Sequence, residues 1–330
     1  MRGIVIRGTR NVFTLRILGR ETGEIAPETG IECRIKGKVL KGVESYYNPL
    51  APGDRVCFEV DSAHPGRGLI LGLEERRNVF TRFNQKNLGA RRSAASQLLA
   101  ANVDLVLCVT TPESPPFRPR FLDRALLQAD IAGIPPVILL NKDDLSRGDP
   151  DVEERLEDLC RIGYPLLRVS ALTGAGMDEL RSLINGKIAV LIGQSGVGKS
   201  SLIRALIPDL DIRVGSLNEK YDRGNHTTAM SVLLEIPGGK NPADPGEAGG
   251  GTFIIDTPGI RRFAPDGVGK EDLIFYMREF APLAGKCTYG LSCSHVSEPG
   301  CKILEAVAAG AIHEDRYESF LRIRDELGGK

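Results

Sequence analysis

Gly193-Gln194-Ser195-Gly196-Val197-Gly198-Lys199-Ser200 is the stretch that decides the fold. It follows an apolar run ending at Ile192 and precedes the helical pattern Ser201 to Leu206, so Gly-x4-Gly-Lys-Ser stands between a strand and a helix. The glycines let successive backbone amides curl around a β-phosphate, and the positive end of the following helix adds to the attraction. Lys199 then bridges β- and γ-phosphate oxygens, and the Ser200 hydroxyl ligates Mg²⁺. Gly193, Ser195, Gly196, Val197, Gly198, Lys199, Ser200 and Ser201 form the expected phosphate-binding set.

Working outward, the runs 102–110, 135–142, 165–170 and 187–193 are continuously apolar, as parallel strands buried on both faces are, and the patterns 119–133 and 152–163 between them are helical. The expected class is an α/β doubly wound domain. Asn141-Lys142-Asp143-Asp144 closes the second run. A carboxylate at Asp144 accepts from guanine N1–H and the exocyclic amine, a donor pair that adenine does not present. Asn141 ties the base-binding loops together and the Lys142 stem covers the base. By itself Asn-Lys-x-Asp is an ordinary strand ending; Ser170-Ala171-Leu172 after the next strand gives it meaning, because a backbone amide there reaches guanine O6. Asp256-Thr257-Pro258-Gly259 ends another strand pattern, with Asp256 aimed at the Mg²⁺ water shell and the Gly259 amide at the γ-phosphate. The polar stretch Gly224-Asn225-His226-Thr227-Thr228 suits a switch loop in which Thr227 or Thr228 ligates Mg²⁺; Thr228 is the favoured ligand.

In ordinary small GTPases the phosphate loop comes first and the Asn-Lys-x-Asp loop later. Here the guanine-reading elements precede the phosphate loop, the switch threonines and the Asp-x-x-Gly turn, which is a circular permutation. Ile260 stands where small GTPases carry a water-orienting glutamine, so His226 becomes the candidate for that task, with packing of the switch or an RNA contact as its alternative roles. The expected catalytic set is His226, Lys199, Thr228 and Asp256.

A chain of 330 residues suggests two or three domains. At 42% apolar and 26% charged residues it is an ordinary globular protein, and no run of 18 apolar residues or signal-peptide core occurs, so the expected compartment is the cytoplasm. Net charge is zero, yet residues 1–97 carry 17 basic and 10 acidic side chains against 26 and 33 beyond them. Either the excess solvates a small β-domain or the front of the chain touches phosphate backbones. Five short strand patterns over 1–74 suggest an oligonucleotide-binding (OB) barrel. A weakly patterned linker follows, and 237–251 reads as a Gly/Pro-rich loop. Cys33, Cys57, Cys108 and Cys160 read as buried apolar residues, whereas Cys287, Cys293, His295 and Cys301 make a Cys₃His set for structural zinc, stabilising a segment too small to bury its own core. One amphipathic helix is expected near 302–327, and His64 and His313 are expected to be solvated bystanders.

The resulting organisation is a multidomain chain: an OB-fold barrel at 1–74, a linker and circularly permuted α/β GTPase domain at 75–270, and an α-helical zinc-binding module at 271–330. The barrel, the permuted motif order and the Cys-x5-Cys-x-His-x5-Cys tail together resemble the ribosome small-subunit-dependent GTPase A (RsgA-type) family across essentially the whole chain. The resemblance implies GTP hydrolysis to GDP and phosphate, stimulated by the small ribosomal subunit during its late assembly. It also implies one structural Zn²⁺, Mg²⁺ with the nucleotide, and barrel and zinc modules that grip ribosomal RNA. A monomer without membrane association is expected. Two other readings remain open at this stage: a nucleotide-gated RNA-binding adaptor with incidental hydrolysis, and a permuted GTPase acting on the large subunit.

Overall fold

The computed structural model describes residues 1–9, 11–18, 30–37, 40, 43, 46–83, 96–208, 231–238, 251–259 and 263–328. Strands β1 (Arg2–Gly8), β2 (Phe13–Ile17), β3 (Ile31–Ile35), β4 (Arg55–Asp61) and β5 (His64–Leu73) close a barrel in the order β1-β2-β3-β5-β4. Only β3 and β5 run parallel, and β1 pairs with β4 to seal the cylinder. This is the OB arrangement that the five strand patterns lead one to expect. Alternation places Phe13, Leu15, Ile31, Cys33, Val56, Phe58 and Ile70 inside, each almost fully buried.

Part of the supposed linker is instead a strand. β6 (Val79–Phe83) pairs antiparallel with β7 (Ser96–Ala101), and this two-stranded sheet docks the barrel. Asn48 exchanges hydrogen bonds with the Leu98 backbone at 3.0 and 3.1 Å. Gly53, at φ +93°, lies so close to Ala101 that a Cβ there would be 2.1 Å from the Ala101 carbonyl oxygen. The pairing escapes a local reading because each strand is short and its apolar partner lies about twenty positions away.

The central sheet has the order β10-β9-β8-β11-β13-β12, with β8 (Leu105–Thr110), β9 (Pro136–Asn141), β10 (Leu166–Val169), β11 (Ile188–Gly193), β12 (Val232–Ile236) and β13 (Thr252–Asp256). All neighbours are parallel except the edge strand β12. Helices α1 (Pro119–Ile131) and α2 (Pro150–Arg161) cover one face, α3 (Met177–Ile184) and α4 (Lys199–Leu206) the other. Along β8 the side chains divide accordingly: Val106 and Cys108 join the first layer, Leu105, Leu107 and Val109 the second. The chain builds β8, β9 and β10 outward to one edge and then returns to the middle with β11. The phosphate-loop strand therefore lies between β8 and β13, where the winding reverses and the loops part to leave a crevice.

Behind this domain come α5 (Leu273–Tyr276), α6 (Lys302–Ala308) and α7 (Glu314–Gly328). The single final helix expected from sequence is two helices, broken where Gly310 adopts φ +69°. His313 is no bystander, since its Nδ1 accepts from the Asp315 amide at 3.1 Å and so caps α7. Nor does the module lack a core. Leu273, Met277, Phe280, Ile303, Phe320 and Ile323 pack with Leu127 of α1, and the Phe280 and Phe320 rings stack at 4.8 Å. Of the four scattered cysteines, Cys33 and Cys108 are buried as expected, whereas Cys57 and Cys160 are exposed on the outward faces of β4 and α2.

Candidate functional site

The phosphate loop leaves β11 at its carboxyl end and enters α4 through Gly198, the residue before the first helical turn. Gly196 and Gly198 adopt φ +88° and +93°, so only glycine takes those positions without strain. At Gly193 the reason is space: a Cβ would meet the Val109 carbonyl oxygen at 2.8 Å. Lys199 is buried and folds back over the loop, donating to the carbonyls of Gly193 at 2.8 Å and Gln194 at 3.2 Å. Burial pulls its pKa down, opposed by the charge of Asp256. Those two carbonyls occupy donors that a polyphosphate can claim.

Asn141, at the end of β9, is buried and works in two directions. Its Nδ2 donates to the Val197 carbonyl at 2.9 Å and its Oδ1 accepts from the Ala171 amide at 3.2 Å. Three loops far apart in sequence are thus joined through one side chain. Lys142, in the left-handed region at φ +63°, sends its Nζ to the carbonyls of Gly196 at 2.9 Å and Ser114 at 2.5 Å. Its stem consequently bridges the base side and the phosphate side of the crevice. The Ser170 hydroxyl donates to an Asp144 carboxylate oxygen at 2.5 Å and accepts from the Thr173 amide at 3.1 Å. Ser170 is therefore the residue that orients Asp144, a pairing the sequence left unread.

Asp256 and Thr257 lie beside the phosphate loop at the end of β13. Thr257 donates to the Leu191 carbonyl at 2.6 Å, and Gly259 sits against Ser195 so closely that a Cβ would be 3.1 Å from its Cα. Asp256 is buried, and its Oδ1 has no hydrogen-bond partner among the described residues. Desolvation raises its pKa from 3.8 to about 6, with Lys199 opposing. A buried carboxylate oxygen left without a donor next to Lys199 and Ser200 fits a cation held nearby. The switch residues His226, Thr227 and Thr228, Ile260, and most of the Gly/Pro-rich loop lie outside the described residues.

In the C-terminal module the Sγ atoms of Cys287, Cys293 and Cys301 and a ring nitrogen of His295 all lie within 4.8 Å of one another, and all four residues are buried. Cys287 Sγ is 3.9 Å from Cys301 Sγ and 3.6 Å from His295 Nδ1, which is 3.4 Å from Cys301 Sγ. A tetrahedron with zinc–sulfur bonds near 2.3 Å and zinc–nitrogen bonds near 2.0 Å has edges of about 3.8 and 3.5 Å. The donor set matches in kind and in size. His295 reaches it from φ +59°, in a loop whose Ser294, Val296 and Ser297 amides all donate to the Glu298 carboxylate and whose His295 carbonyl accepts from Tyr317 at 2.6 Å.

A phosphate loop at the winding reversal of an α/β sheet, with its guanine-type loop encoded upstream, defines a circularly permuted P-loop nucleotide-binding protein. The model of the RsgA GTPase family matches residues 73–265. The small ribosomal subunit biogenesis GTPase RsgA of Bacteroides fragilis (strain YCH46) is 35% identical over 336 residues, spanning 100% of this chain and 98% of its own. The protein of the same name from Chlorobaculum parvum is 36% identical over 327 residues, spanning 98% and 97%. Among solved structures, YjeQ from Thermotoga maritima superposes with a TM-score of 0.69 at 30% identity, over 100% of this chain and 99% of its own. YloQ, described as a circularly permuted GTPase, has a TM-score of 0.62 at 23% identity over 99% and 95%, a likeness of fold. The chain belongs to the RsgA GTPase family and is a GTP hydrolase. Among the described residues no helix is long and apolar enough to cross a membrane.

Proposed function

We propose that this GTPase acts in biogenesis of the small ribosomal subunit, as the names of its relatives say of them, that it does so late in the subunit's assembly, and that it works in the cytoplasm. The observation that carries the reading is the Asn141 bridge between Val197 and Ala171, which makes base recognition and the phosphate loop one unit. Asp144, oriented by Ser170, accepts from guanine N1–H and the amine, and a Ser170-Ala171-Leu172 amide meets O6. The amides of Gly196, Val197, Gly198, Lys199, Ser200 and Ser201 surround the phosphates, with Gly193 and Ser195 shaping the turn. Lys199 exchanges its two loop carbonyls for phosphate oxygens, and the Gly259 amide faces the γ-phosphate.

Ser200, Thr228 and Asp256 would hold Mg²⁺, which when bound would supply positive charge to the polyphosphate. His226 orients the attacking water in its neutral form. Cys287, Cys293, His295 and Cys301 hold one structural zinc. The units 1–74, 75–270 and 271–330 divide the labour: the barrel and the zinc module grip RNA on either side of the catalytic domain. Exposed Arg34 and Arg67 beside half-exposed Leu69 and Leu71 on the barrel wall support that division, because phosphate and base faces call for this mixture.

Asp144→Asn tests the base assignment. Replacing an acceptor by a donor opposite the amine is expected to weaken GTP binding by several orders of magnitude and to favour xanthosine triphosphate, read by competition for a fluorescent nucleotide. Undiminished GTP affinity contradicts the assignment.

A further inference from the structure

The start of α1 opens onto a cavity of about 450 Å³ beside the phosphate loop, lined by Phe117, Arg118, Phe121, Gln194, Phe263 and Asp315 among others. That size lies within the range of about 300–1,000 Å³ usual for ligand pockets. Three regions meet there: the second residue of the phosphate loop, the segment just beyond the Asp256-to-Gly259 turn, and the first turn of α7. Its side chains are not all committed. Arg120 pairs with Glu318 at 3.0 Å, and Arg124 grips both carboxylate oxygens of Glu326 at 2.8 and 2.9 Å. Arg118, exposed at the start of α1, has no side-chain partner among the described residues. The Phe121 ring meets Phe263 edge-on, with centroids 6.3 Å apart, which leaves Phe117 as the aromatic wall without a ring partner among the described residues.

We propose that this cavity takes one unpaired nucleotide of RNA. The base lies against Phe117, its phosphate pairs with Arg118, and an exocyclic or imino donor on the base meets the Asp315 carboxylate. Stacking on an aromatic face beside a guanidinium is the general mode by which unpaired bases are held. A base still paired in a helix has its faces covered by its stacked neighbours and offers none to Phe117, so the ligand is a nucleotide free of its helix. The contact also bears on turnover: Gln194 borders the cavity and its carbonyl accepts from Lys199 at 3.2 Å, so an occupant pressing on Gln194 acts one hydrogen bond from the phosphate-binding lysine. This inference rests on the small subunit being the partner.

The test compares the full-length protein with Arg118→Glu and Phe117→Ala, measuring GTP turnover across a titration of purified small ribosomal subunits together with chemical probing of unpaired bases in the complex. Basal turnover is expected to stay within about twofold of the parent, while the subunit concentration giving half-maximal stimulation rises at least tenfold and the parent's protection of one unpaired base disappears. Arg118 is exposed, so Arg118→Glu keeps the test decisive should Phe117→Ala fold poorly. Unchanged stimulation and protections in Arg118→Glu overturn the proposal. Weakened stimulation with every base protection intact overturns it too, in favour of a ribosomal protein as occupant. A parent protein that ignores small subunits altogether overturns the functional reading itself, and this inference with it.

Discussion

Asp256 shows how a single residue carries both stability and function. In protein free of Mg²⁺ and nucleotide its burial raises the pKa from 3.8 to about 6, against the pull of Lys199. The folded protein therefore keeps a proton that the unfolded chain has already lost. Its contribution is fully present below pH 3.8 and is lost as pH rises through 6, a difference of about 3 kcal/mol. Asp256→Asn is expected to abolish this dependence and to stabilise the free protein above pH 6, while weakening Mg²⁺-dependent GTP binding. Urea unfolding at pH 5 and pH 8 reads the first effect, and an unaltered pH slope in the variant contradicts it. At this scale the sequence was most legible where the chemistry is local. Gly196 and Gly198 need positive φ within the motif itself, and Asp144 follows Asn141 by three residues in the turn that ends the strand. What stayed hidden were partnerships across distance, such as Ser170 with Asp144, or Lys142 with the Ser114 carbonyl.

Elements follow the same division. Continuous apolar runs announced β8 to β11 because parallel strands are covered on both faces, whereas β6 and β7 draw their pairing from each other and from the barrel. Gly53→Ala tests that docking, since a methyl group would strike the Ala101 carbonyl and φ +93° disfavours any side chain. A loss of about 2 kcal/mol is expected by denaturant unfolding, and no loss means the barrel seats differently. The Cys₃His turns were legible from donor spacing and the helical run behind them from its apolar pattern, but the break at Gly310 was not, because it looks like a small residue in a helical run. Since α5, α6 and α7 bury their own apolar cluster with Leu127, losing the metal is expected to loosen 287–301 while the helices persist. One zinc per chain by elemental analysis, its loss in Cys293→Ala, and hydrogen exchange that speeds up mainly across 287–301 are the expected results. Zinc retained in that variant contradicts the ligand set.

On the scale of the whole molecule, the catalytic domain and the C-terminal module are clamped by buried charge. Asp123 of α1 accepts from Arg155 of α2 at 2.7 Å, and from Arg316 at 2.9 Å and Ser319 at 2.5 Å, both of α7, while Arg316 also binds Glu279 through Nε and Nη2 at 2.5 and 3.0 Å. None of this is visible in sequence, where the partners stand up to 196 positions apart. Arg316→Met leaves Asp123 one donor short and Glu279 buried without a cation, and a loss of about 3–5 kcal/mol is expected by thermal or urea unfolding. A loss below 1 kcal/mol means the two parts are held by the apolar cluster alone. The clamp makes the module a fixed extension of the domain that binds GTP. Binding to the small subunit is then expected to weaken steeply with salt, by about 0.7–0.9 in log–log slope for each phosphate contacted. The most direct measurement of the central claim is GTP turnover by the purified protein alone, with small ribosomal subunits and with large ribosomal subunits. The expected result is slow basal hydrolysis, raised by at least tenfold with small subunits and unmoved by large ones; equal rates in all three, or stimulation by large subunits, contradict it.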